Sequence, residues 1–194
     1  INPSSTETWI GELSGANQTS LTIETRDITR VSISVLDSTG TEIAQREPSE
    51  ELTWSTLIAL REGENRFTIA ARDELSTQSS LDLTLHYDPL PPGIGLSEPA
   101  STRITLEEDS LLISGLIYQR AALGGLGGEG GVEPGARVIA TSYQEDHTQG
   151  EELHRRQTRS DEEGAFGVVL PIEVGLNDVQ LCAYDRAENE TCVT

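Results

Sequence analysis

Residues 49–77 and 161–189 are one pattern written twice, 112 positions apart and without a gap. Glu50 meets Glu162, Glu51 meets Glu163, Gly63 meets Gly175, Asn65 meets Asn177, Ala71 meets Ala183 and Asp73 meets Asp185. Apolar character agrees as well, pairing Trp54 with Phe166, Ile58 with Leu170, Leu60 with Ile172, Phe67 with Val179 and Ile69 with Leu181. A self-similar stretch of this length makes the 194-residue chain two copies of one folding unit, each long enough to bury a core.

Within each copy the apolar residues alternate with period two. "LTIET" (21–25), "VSISVLD" (31–37), "RFTIAAR" (66–72), "SLDLTLHY" (80–87), "ARVIATSY" (136–143) and "DVQLCAY" (178–184) all read this way between clusters of Gly, Pro, Asn, Asp and Ser. Successive side chains of a strand point to opposite faces, so the pattern predicts strands buried on one side. Even "SEELTWSTLIALRE", the most helix-like run, alternates through Trp54, Thr56, Ile58 and Leu60. The expected fold is all-β, with two tandem antiparallel β-sandwiches.

Between the copies, residues 89–101 contain all four prolines of "DPLPPGIGLSEPAS", which predicts a short, stiff linker between a first domain at 1–88 and a second at 102–194. "LSG" (13–15) matches "ISG" (113–115) at an offset of 100, which assigns the second copy a dozen extra residues. The run "RAALGGLGGEGGVEPG" (120–135) is the natural place for them, read as a Gly-rich surface excursion. Pro3 and Pro99 each introduce a copy, and the second copy's last strand stops short of the first's. Both features are expected of a segment cut from a longer array.

The "LREGENRFTIAARD" phrase and its partner "LPIEVGLNDVQLCAYDRAEN" resemble the closing half of bacterial immunoglobulin-like modules, with a G-x-N, an alternating strand ending in A-x-D and a small turn. "PGARVIA" and "SDEEGAFGVVLPI" are similar to the variety found in bacterial surface proteins and glucodextranase-type enzymes. The resemblance implies an immunoglobulin-like sandwich and says little of function, since such folds host many activities. Independently of it, Gly63 and Gly175 suit a corner that needs positive φ, and Asn65 and Asn177 can bond backbone groups left unpaired there. Asp73 and Asp185, each ending a strand, can cap the following turn.

Acidic residues outnumber basic ones 33 to 13, giving a net charge of −20. Such a surface repels nucleic acid and anionic lipid, and no apolar run reaches a membrane span. His86, His147 and His154 are too scattered for a catalytic set, and no phosphate loop or nucleophile elbow is present. The expectation is therefore of no enzyme and no resident cofactor or metal. Calcium held by Asp73, Asp185, Asp161 or Glu162 is the alternative, weakened by the lack of a dense D-x-D-x-D-G loop. Among the few aromatic residues, Tyr184 and Tyr118 are the candidate ligand contacts, with Tyr143 and Trp9 further exposed rings.

Cys182 and Cys192 are the only cysteines. If Tyr184 faces Glu190 across a turn at 185–189, antiparallel pairing sets Cys182 directly opposite Cys192, at a separation a disulfide accepts. The core-facing residues are Val179, Leu181 and Ala183, so the cysteines form a clip on the outer face of the last hairpin. Copy one has Ala70 and Ser80 at these places, so both sulfurs are absent together. A disulfide implies an oxidising, extracytoplasmic compartment. The composite expectation is a monomeric, non-catalytic spacer or adhesive segment of a secreted or cell-surface bacterial protein, meeting a protein or glycan partner. An accessory glycan-binding pair of a polysaccharide-active enzyme is the other reading, and calcium-rigidified modules a third.

Overall fold

The computed structural model describes residues 6–11, 17–25, 30–101, 103–120, 131–144, 148 and 150–194. Two compact units divide the chain, Ile1–Pro89 and Leu90–Thr194. Among the described residues all regular elements are strands.

The first unit contains β1 (Thr6–Ile10), β2 (Gln18–Glu24), β3 (Val31–Asp37), β4 (Glu42–Ser49), β5 (Thr53–Ala59), β6 (Gly63–Asp73) and β7 (Gln78–Tyr87). They form a five-stranded sheet in the order β1-β7-β6-β3-β4 and a two-stranded sheet β2-β5. β3 buries Val31, Ile33 and Val35 while Ser32 and Ser34 stay on the other face. Phe67 and Ile69 of β6, Ile58 of β5 and Leu83, Leu85 and Tyr87 of β7 complete the core. Ile33 and Val35 are wholly buried, and each such side chain contributes on the order of 1.5–3 kcal/mol. Among the described residues the pairing is antiparallel with one exception, since β1 runs parallel to β7 from Thr6↔Leu83 to Ile10↔Tyr87.

The second unit contains β8 (Gly93–Glu98), β9 (Ser110–Tyr118), β10 (Arg137–Gln144), β11 (Glu152–Arg159), β12 (Ala165–Pro171), β13 (Asn177–Tyr184) and β14 (Glu190–Val193). Its sheets are β11-β10-β13-β14 and β12-β9-β8. The core lies between them, built on Ile117, Val138, Ala140, Phe166, Leu170, Leu181 and Ala183.

Two boundary expectations are corrected. The 89–101 segment is not a free linker: Gly93–Glu98 is β8, an edge strand paired with β9 inside the second unit. Pro91 and Pro92 precede the strand and Pro99 follows it, where no ladder donor is needed, and the glycines between them allow close approach. A Cβ on Gly115 would lie 2.1 Å from the Gly95 carbonyl oxygen, so the two backbones meet where neither carries a side chain. The "LSG"/"ISG" match is also not the structural equivalence. Leu21 faces Thr56 and Ile113 faces Val168, the residue 112 positions on from Thr56, so Ile113 corresponds to Leu21. A match of three residues, two of them identical, carries less weight than the alternation that sets the core face; residues 13–15 themselves lie outside the described residues. Of the Gly-rich run, 121–130 are likewise outside them, and Val132 beyond it bridges back to Tyr118.

Candidate functional site

The repeated residues build the same corner twice. The Asn65 side-chain oxygen accepts the Arg61 amide at 2.9 Å, and its Nδ2 donates to the carbonyls of Arg61 at 2.7 Å and Gly63 at 2.9 Å. Asn177 makes the matching bonds, accepting from the Glu173 amide at 3.2 Å and donating to the carbonyls of Glu173 at 2.7 Å and Gly175 at 3.3 Å. Gly63 and Gly175 hold φ of 89° and 124°, in the left-handed region where a Cβ is strained.

A second device recurs four times. Asp37, Asp73, Asp161 and Asp185 each close a hairpin by exchanging backbone bonds with the residues three and four positions on. In each, a carboxylate oxygen also accepts the amide four residues ahead, from Thr41 (3.0 Å), Thr77 (2.7 Å), Ala165 (2.9 Å) and Asn189 (2.9 Å). The third residue after the aspartate has positive φ in every case, at Gly40, Ser76, Gly164 and Glu188. This is the three-residue hairpin loop of a type I turn and a left-handed residue. Asp37 and Asp161 belong with Asp73 and Asp185 as turn-closing residues, and D-x-x-G-x at 37–41 and 161–165 is the readable signal. Thr39 donates its hydroxyl to Asp37, and this bond, with the Thr41 amide, holds the Asp37 carboxyl below its ordinary value of 3.8. These carboxylate oxygens accept protein amides in turn-closing geometry. Among the described residues, the only trio of metal-ligating groups within reach of one another is Cys182, Glu190 and Cys192. Its two sulfurs are bonded to each other.

That bond joins Cys182 of β13 to Cys192 of β14, paired in register with Cα atoms 4.1 Å apart. One detail differs from expectation: Cys182 is only 8 % exposed although it is on the outer face. It sits in a central strand, between Ile139 of β10 and Cys192 of β14. Beside it the Arg137 guanidinium lies 4.0 Å above the Tyr184 ring and pairs with Glu188. Tyr184 donates its hydroxyl to Glu190. That bond, then burial and the Glu190 charge, raise the Tyr184 pKa above its ordinary value of 10.

Both candidate contact rings are thus engaged in packing. Tyr184 has one face under Arg137 and its hydroxyl on Glu190. Tyr118 covers the backbone of β8, so that a Cβ added to Gly93 would be 2.2 Å from its ring. Trp9 stacks on His86 with ring centres 4.5 Å apart. His154 bonds Glu173 at 3.1 Å, and His147 lies outside the described residues.

No protein-family profile matches the chain, and no curated protein matches it. Among solved structures it is similar to fibronectin(III)-like modules of Clostridium thermocellum CbhA, at 11% identity and a TM-score of 0.56, over 100% of this chain and 89% of that one. A tetra-tandem repeat in the extending region of a large adhesion protein is 15% identical, with a TM-score of 0.38, over 96% of this chain and 47% of that one. At such identities the likeness is one of fold, and it defines the chain as tandem immunoglobulin-like β-sandwich modules.

Proposed function

We propose that the chain is a non-catalytic, tension-bearing spacer or adhesive segment of a secreted or cell-surface bacterial protein, of the glucodextranase-type immunoglobulin-like variety. The observation that carries this reading is the parallel pairing of β1, which leads into the first unit, with β7, which leads out of it. Tension on the two ends of the unit pulls these strands past each other. Every bond from Thr6↔Leu83 to Ile10↔Tyr87 is then loaded together rather than one after another. The outer-face disulfide supports an oxidising compartment, and the net charge of −20 keeps such a segment soluble and clear of anionic surfaces.

The test is to pull single molecules by their ends and compare them with a Thr8→Pro variant, which lacks one donor in β1. A clear force peak for the first unit that falls in the variant is expected. Equal peaks, or unfolding without measurable force, would reject the load-bearing role. Turnover of any substrate by residues of this chain would reject the non-catalytic one.

A further inference from the structure

The outer face of the β13–β14 hairpin differs from its counterpart at three places at once. Cys182, Glu190 and Cys192 stand where β6 and β7 carry Ala70, Gln78 and Ser80, in the same register. A clip needs the two sulfurs and no carboxylate. Yet the Glu190 Oε1 lies 3.2 Å from the Cys192 Sγ, and ligating atoms of all three residues are within 4.8 Å of one another. Tyr184, directly across from Glu190, donates its hydroxyl to that same oxygen. A carboxylate with a donor on it is held in orientation, as metal-bound carboxylates are.

We propose that this trio is a redox-gated site for a thiophilic divalent cation of the zinc(II) class, closed while the disulfide stands and opened by a dithiol. In the opening step the dithiol supplies two electrons and two protons. The Cys182–Cys192 bond becomes two thiols, and the dithiol becomes a disulfide. The cation then displaces both thiol protons, which pass to the buffer as two metal–sulfur bonds form. Tetrahedral zinc with Zn–S bonds of about 2.3 Å holds its sulfurs about 3.8 Å apart. Cys182 and Cys192 are a close cross-strand pair with Cα atoms 4.1 Å apart, so side-chain rotation reaches that spacing without breaking the ladder. Glu190 and Cys192 are two positions apart on β14 and share its outer face. Both are exposed while Cys182 is buried, which leaves the fourth tetrahedral position to water on the solvent side. Two thiolates suit zinc(II), whereas calcium and magnesium take oxygen ligands.

The test uses the whole chain, reduced with dithiothreitol, freed of it by anaerobic gel filtration and titrated with cobalt(II) as the spectroscopic stand-in for zinc. Saturation at one cobalt per chain is expected, with sulfur-to-cobalt charge transfer, the visible bands of tetrahedral cobalt and release of two protons. Zinc should displace the cobalt, and calcium should not. Glu190→Gln keeps both cysteines and should bind at least tenfold more weakly. The oxidised chain should give no charge-transfer band. Absence of the bands at one equivalent overturns the inference, as does equal affinity in Glu190→Gln, which reduces the site to two sulfurs. Saturation at one cobalt per two chains, with thiols of separate molecules sharing the metal, overturns it too. So does binding that appears only where amide spectra show the β13–β14 ladder lost, because the hairpin then does not build the site.

Discussion

Removing the disulfide by Cys182→Ala with Cys192→Ser rewrites the second hairpin as the first, which carries Ala70 and Ser80 in register at the same two places. The clip closes a loop of sequence separation 10. Loop-closure entropy for that length gives about 2.7 kcal/mol at 25 °C. On a domain near 100 residues this lowers the midpoint of unfolding by about 10 °C. Because both cysteines belong to Leu90–Thr194, calorimetry should show one of two transitions falling while that of Ile1–Pro89 stays in place. A shift below about 2 °C would mean that the β13–β14 ladder alone restrains the unfolded chain, refuting the entropic argument. A fall in both transitions would refute the assignment of the clip to one unit.

Asn65→Ala strips the Arg61 amide of its acceptor and should cost about 1–2 kcal/mol in chemical denaturation, with Asn177→Ala doing the same to the second unit. No loss at either site would remove the corner from the list of stabilising features. Ser76 holds φ of 65°, so Ser76→Gly should raise stability by about 0.5–1 kcal/mol; a loss would show that the serine relieves its own strain. Tyr184 should ionise above the ordinary tyrosine value of 10 in an ultraviolet titration, because the bond to Glu190 and burial disfavour the phenolate. A raised folded-state pKa means that this contribution to stability is complete below the unfolded value near 10 and is lost as pH climbs through the folded one. Glu190→Gln should bring the titration down; an unchanged curve would contradict the cause assigned.

The elements most legible in the sequence were those whose residues repeat or alternate. Gly63, Asn65 and Asp73 recur at 175, 177 and 185, and the alternation of "VSISVLD" places Val31, Ile33 and Val35 inward as found. Cys182 opposite Cys192 followed from register alone. What escaped depended on contacts between distant segments. β8 hid among prolines because its strand character comes from the bare backbone of Gly95 meeting Gly115, and no local pattern announces such an approach. The parallel partnership of β1 with β7 is a matter of topology, invisible to periodicity. Tyr184 looked like a free ring because Arg137, 47 positions earlier, covers it only after β10 and β13 pair.

Two separately folded copies of one sandwich are most directly tested by counting unfolding steps as the chain is stretched end to end. At about 3.4 Å per residue, Ile1–Pro89 should release roughly 300 Å less its folded length. The oxidised second unit should give a separate step that lengthens by about 30 Å when the disulfide, of sequence separation 10 and Cα–Cα distance 4.1 Å, is reduced. One cooperative step spanning both units, or a second step indifferent to reductant, would contradict the two-copy architecture or its clip.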